Sequence, residues 1–220
     1  MVFKMQTRFL ALLLVAFVSF SGAVVAAEKR IALVIGNAKY PEAPLTNPVN
    51  DANDMEEVLK ASGFRVIKAL NASQKEMNRA IAKFGQLLTE DSVALFYYAG
   101  HGLQVRGKNY LIPVDAEIKS ESMVGVESVD VDRVLDQLSH SELNVVILDA
   151  CRNNPFDRKS GRALGAGGLA QMEAPKGSMI AYSTAPGKTA ADGDGRNGAY
   201  TQALLRYIKE PGLSIEQVFK

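Results

Sequence analysis

From residue 28 onward, short apolar runs alternate with segments whose apolar residues recur every three or four positions. Ile31–Ile35 is a continuous apolar run ending at Gly36-Asn37, the pattern of a strand buried on both faces. Asn50–Ser62 reads as a helix, with Ala52, Met55, Val58 and Leu59 at helical spacing and Gly63 as its stop. Phe64–Leu70 predicts the next strand. Ser73-Gln74-Lys75-Glu76 is a capping box, and Met77, Ile81, Phe84 and Leu88 line one face of the helix it opens. Val93–Tyr98 predicts a strand, and Tyr110–Pro113 a short edge strand, since proline lacks a ladder donor. Val129–Ser139 predicts a helix with Val131, Val134, Leu135 and Leu138 inward. Asn144–Leu148 and Ser178–Ser183 are the last two strands. Asn197 caps a helix through Lys209, stopped by Pro211-Gly212, and Ser214–Gln217 opens another. Strands separated by helices imply an α/β fold in three layers: about six mostly parallel strands with helices on both faces.

The first 27 residues follow another rule. Lys4 and Arg8 precede the apolar run Phe9–Phe20, and small residues follow up to Ala27. That order is the signature of a secretory signal, with cleavage after Ala27. The expectation is an exported chain, periplasmic or secreted, with one domain over residues 28–220. The competing reading is an uncleaved anchor, because Phe9–Ala27 is just long enough to span a bilayer. Only that reading brings in a membrane.

Composition narrows the function. The chain has 220 residues, 47% hydrophobic and 22% charged, enough apolar content for a core. The formal charge of +1 implies no surface for nucleic acid. One cysteine excludes an internal disulfide framework, and two histidines leave little for a zinc site.

In an open α/β sheet, ligands sit beyond the carboxyl ends of the strands. Ala99-Gly100-His101-Gly102 follows one predicted strand, and Asp149-Ala150-Cys151-Arg152 follows another. The sole cysteine and one of two histidines therefore occupy equivalent places at one sheet edge. That pairing suits acyl transfer, with Cys151 as nucleophile and His101 as base and then acid. Backbone amides of Gly102 and Cys151 are the candidate oxyanion donors. Gly100 and Gly102 are expected to form tight turns around His101. His140, at a predicted helix C-terminus, reads as structural.

Tyr97–Gly102 and Leu148–Arg152 resemble the two catalytic motifs of the caspase–metacaspase family of cysteine peptidases, with the histidine 50 residues before the cysteine. Arg30–Asn37, Pro48–Ala52 and Asn197–Thr201 are similar to its bacterial metacaspase-like branch. The resemblance implies a His101–Cys151 dyad acting on protein or peptide substrates. Where caspases carry glutamine, this chain has Asp149; with Asp51 after the first strand, it resembles the acidic pocket of metacaspases. Two carboxylates in one pocket imply cleavage after Arg or Lys. Asp51 also reads as a helix N-terminal carboxylate, and Asp149 as support for the cysteine loop.

Pro48 and Ala99 stand where the family often has cysteine and serine. No cofactor is required by this chemistry. Metacaspases are often calcium-dependent, but Asp192-Gly193-Asp194-Gly195 reads as a turn, since no glutamate follows at the required distance. The loop Asp157–Gly168 carries Arg158, Lys159 and Arg162, candidates for self-cleavage in an otherwise solvated loop. The family fold usually continues past Lys220, which implies a truncated domain or a longer parent. The alternative class of function is a caspase-fold binding or scaffold protein whose dyad is idle.

Overall fold

The structure is a computed structural model describing residues 28–151, 169–183, 195–210, 212–213 and 215–218. The expected signal segment 1–27, the loop Asp157–Gly168 and the residues Asp192–Asp194 lie outside these. No described helix is long and apolar enough to cross a membrane.

Five parallel strands form the centre: β1 (Lys29–Gly36), β2 (Arg65–Leu70), β3 (Ser92–Val105), β6 (Leu143–Cys151) and β7 (Ser178–Tyr182). Their order across the sheet is β2-β1-β3-β6-β7. Two short strands, β4 (Lys108–Leu111) and β5 (Val129–Asp130), continue antiparallel from the far end of β3. The described sheet thus has seven strands, one more than expected. The additional strand is Val129–Asp130, which periodicity assigns to the start of a helix. In the structure it pairs with Tyr110 and Leu111, and α4 (Asp132–Leu138) begins only afterwards. A further helix, α3 (Glu121–Glu127), was not legible in a seven-residue segment with one buried side chain, Val124.

Strand alternation divides the core into two layers. Ile31, Leu33, Ile35, Phe96, Val146 and Leu148 face α2 (Gln74–Gly85) and α4, meeting Met77, Ile81, Phe84, Val134 and Leu138. Ala32, Val34, Leu95, Tyr97, Val145 and Ile147 face the opposite way. There they meet Met55, Val58 and Leu59 of α1 (Pro48–Ala61) and Leu204 of α5 (Ala199–Tyr207). Each fully buried large side chain contributes roughly 1.5–3 kcal/mol, so these two faces hold the sheet between its helices. A last helix, α6, spans Ile215–Val218.

The capping box at α2 is formed as expected. Ser73 Oγ accepts the Glu76 amide, and the Ser73 N–H donates to Glu76 Oε2 at 2.9 Å. Ser73→Ala is expected to cost about 1 kcal/mol, read as a lower denaturation midpoint in urea. An unchanged midpoint would contradict the assignment. The expected cap at Asn197 is corrected: Gly198 is the N-cap of α5, without a side-chain cap, and Asn197 Nδ2 donates to Asp54 Oδ2 at 2.9 Å. The Nδ2 bond to Asp54 holds the Asn197 side chain on α1 instead of over the first turn of α5.

Candidate active site

The parallel register of β3 and β6 runs Tyr98↔Leu148, Ala99↔Asp149, Gly100↔Ala150 and His101↔Cys151. His101 and Cys151 are therefore direct cross-strand neighbours at the carboxyl edge of the sheet, where adjacent strands lie about 4.8 Å apart. The expected turn around His101 is corrected. β3 does not end at Tyr98 but runs on to Val105, because β4 takes over as its partner from Gly102 onward. His101 is thus held by a ladder rather than a loop.

Two tyrosines fasten its backbone. The His101 N–H donates to the Tyr40 hydroxyl at 3.0 Å, and the Tyr98 hydroxyl donates to the His101 carbonyl at 2.6 Å. Both hydroxyls also reach the Ile112 carbonyl, at 3.0 and 3.1 Å. A Cβ on Gly100 would lie 2.7 Å from each of those hydroxyl oxygens, so only glycine lets them close around the strand.

The ring itself is buried, 4.3 Å from the Tyr40 ring centroid. Its Nε2 lies 2.7 Å from the Ala43 carbonyl oxygen. A carbonyl only accepts, so in neutral His101 the hydrogen sits on Nε2 and Nδ1 is the basic nitrogen. The same carbonyl would steady an imidazolium if Nδ1 took a proton.

The His101 carbonyl accepts the Ile112 amide at 3.0 Å. This makes Gly102–Leu111 a non-hydrogen-bonded pair and leaves the Gly102 N–H outside the β3–β4 ladder. That amide points to the β6 side of β3, where His101↔Cys151 is the last pair of the ladder.

Asp51 and Asp149 converge although they come from different elements. Asp51 lies in the first turn of α1, as its helix reading expects, and is 2% exposed. It accepts the Gly198 N–H at 3.0 Å. A point one Cβ bond from Gly198 lies 3.4 Å from Asp51 Oδ2 and 3.7 Å from Asp149 Oδ2. Both carboxylates thus approach the same side of Gly198, which carries no side chain to separate them. Burial, reinforced by the nearby Asp149 and Asp54 charges, raises the Asp51 pKa to about 7 against hydrogen bonds from Asn197 and Gly198.

Asp149 is fixed from behind. Thr201 Oγ1, fully buried on α5, donates to Asp149 Oδ2 at 2.6 Å, and the Tyr97 hydroxyl lies 2.6 Å from the same Oγ1. The Gly198 segment is clamped to α1 by a two-bond Arg196–Asp54 ion pair at 2.8 and 3.0 Å. The Arg196 hydrogen bonds hold the Asp54 carboxyl below its usual range. Thr201, Tyr97 and Asp54 are residues whose support of this carboxylate pair the sequence did not disclose. Asn197–Thr201 stood out as a motif, but its contacts span 147 positions between Asp51 and Gly198. Ala43 gave no signal, since it acts through a backbone carbonyl. Among the described residues no cluster of metal-ligating side chains occurs.

The family model of the caspase domain matches residues 29–220. The chain belongs to the caspase family. The match covers both β3 with His101 and β6 with Cys151, and the family's three-layer sheet is the one described above. Among curated proteins it is similar to mucosa-associated lymphoid tissue lymphoma translocation protein 1 of Homo sapiens and to its homolog of Mus musculus. Both are 36% identical over 135 residues, which is 60% of this chain. The chain spans 16% of the length of these relatives.

Proposed function

We propose that this caspase domain is a cysteine endopeptidase that cleaves after arginine or lysine. The observation that carries the proposal is the register pairing of His101 with Cys151 at the carboxyl edge of the sheet. In the proposed reaction His101 Nδ1 takes the thiol proton and the Cys151 thiolate attacks the scissile carbonyl carbon. The amides of Gly102 and Cys151 receive the developing oxyanion. His101 then passes its proton to the leaving amine, which departs and leaves a thioester on Cys151. Water hydrolyses the thioester with His101 again acting as base.

The basic preference is supported by the carboxylate pair around Gly198. An arginine fork or a lysine ammonium entering there would neutralise Asp149 and favour ionised Asp51. The reading includes export, on the strength of the apolar segment before Ala27, and self-cleavage in the loop bearing Arg158, Lys159 and Arg162.

A peptide library presented to residues 28–220, with and without calcium, tests the proposal, with Cys151→Ala as control. Cleavage confined to bonds after Arg and Lys, absent in the control, is the expected result. Cleavage mainly after Asp would overturn the specificity. Absence of both cleavage and His101-dependent thiol labelling would favour an idle scaffold.

A further inference from the structure

The loop on which the imidazole leans is itself held from beyond β1. Residues 38–45 follow β1 and meet His101 twice. The Tyr40 hydroxyl accepts the His101 N–H at 3.0 Å, and the Ala43 carbonyl oxygen lies 2.7 Å from Nε2. The loop is closed at its base by the Ala38 carbonyl, which accepts the Tyr40 and Leu45 amides at 3.0 and 2.9 Å. The Ala38 and Lys39 N–H groups both donate to one atom, Asn71 Oδ1, each at 3.0 Å. Asn71 stands just beyond β2, half-buried, with β1 between it and β3.

The Asn71 backbone is left-handed, with φ 49°. Most side chains avoid that conformation, and asparagine tolerates it better than most. Neighbouring bonds keep it there. The Asn71 N–H donates to the Gly36 carbonyl at 2.9 Å, and the next amide, Ala72 N–H, donates to Oδ1 of the fully buried Asn37 at 2.9 Å. A residue held in a rare conformation, with its side-chain carbonyl bound to two amides of the loop that carries Tyr40 and Ala43, points to a use for the strain. We infer that Asn71 is a positioning residue for the general base. Its two bonds fix where the loop stands, and the loop fixes the imidazole through Tyr40 and Ala43. The inference rests on the peptidase reading above.

Asn71→Gly keeps the left-handed backbone and loses the acceptor, whereas Asn71→Asp keeps both. Asn71→Gly should lower kcat toward an arginine peptide by roughly tenfold to a hundredfold, the scale of a displaced catalytic group. KM should stay within about twofold, because the carboxylate pair is held through Gly198 and Thr201 rather than through this loop. Asn71→Asp should keep kcat within about threefold of wild type. Alkylation of Cys151, the sole cysteine, by iodoacetamide near neutral pH separates this role from a merely structural one. Asn71→Gly should slow it by at least about threefold when His101 is present, and by less than about twofold in a His101→Ala background, where no base is left to misplace. Equal slowing in both backgrounds, a kcat kept by Asn71→Gly, or a folded Asn71→Asp as slow as Asn71→Gly overturns the inference alone. Should Asn71→Gly show no cooperative urea transition, Asn71→Ser, too short to reach both amides, replaces it in the same comparison. Failure of the wild type to cleave any arginine peptide overturns the peptidase reading. The alkylation comparison then still decides the inference, which falls if the wild-type thiol reacts no faster than that of His101→Ala.

Discussion

His101→Ala is expected to lower kcat/KM toward an arginine peptide by roughly 10²–10⁴, the range for losing a positioned acid–base group. Cys151→Ala should leave no measurable turnover, because no other group takes the acyl chain. The two effects should not add, since a thiol without its base and a base without its thiol fail at the same step. The measurement is initial rate against substrate concentration for both single variants and the double variant. The loss should fall on kcat, because His101 acts on the reacting atoms and not on the basic side chain. A His101→Ala protein that kept its kcat, with KM alone raised, would mean that the imidazole binds substrate rather than moving a proton. Stability should fall as well, by roughly 1–3 kcal/mol, because a buried ring packed on Tyr40 and bonded to the Ala43 carbonyl is lost, but the fold should persist. The backbone at His101 is held by Tyr40, Tyr98 and the β4 ladder, none of which needs the ring.

The second large effect concerns the carboxylate pair. Asp149→Ala removes one carboxylate partner of the incoming cation, and removing one side of a charge pair desolvated by the bound substrate typically costs about 2–5 kcal/mol. That corresponds to at least roughly a thirtyfold rise in KM for arginine peptides. Thr201→Val, which keeps the volume and removes the donor to Asp149, should raise KM in the same direction by less. Asp51 adds a pH dependence whose sign follows from its burial. With its pKa raised to about 7, Asp51 is mostly protonated in acid, and an arriving guanidinium favours the ionised form. The KM for arginine peptides should therefore fall as pH rises toward and through about 7, by up to tenfold per unit below it. Stability runs the other way. The carboxyl is ionised above 3.8 when unfolded but only above about 7 when folded, so its contribution to stability is present in acid and lost across that window. Asp51→Asn should flatten both trends. Urea midpoints and KM measured from pH 5 to 8 in wild type and Asp51→Asn make the check, and a wild-type KM independent of pH would refute it.

Much of this was legible in the chain. Apolar periodicity located the faces of α1 and α2, and the capping box fixed the start of α2, because helix packing and capping depend on residues three or four positions apart. The apolar runs of β1 and β6 read as strands because both their faces are buried. Periodicity failed at Val129–Asp130, where two residues pair with Tyr110 and Leu111 before the helix begins, since a bridge that short leaves no period to detect.

By itself, the sequence determined the candidate chemistry: one thiol, one histidine beyond a neighbouring strand, and two aspartates that suggested a basic substrate. Only the tertiary structure decided the geometry. It set His101 in register with Cys151, turned Nε2 toward a backbone carbonyl at Ala43, and closed Asp51, Asp149 and Thr201 around Gly198. Those facts rest on sheet register and on main-chain atoms from distant parts of the chain, and neither leaves a mark on side-chain identity or local spacing.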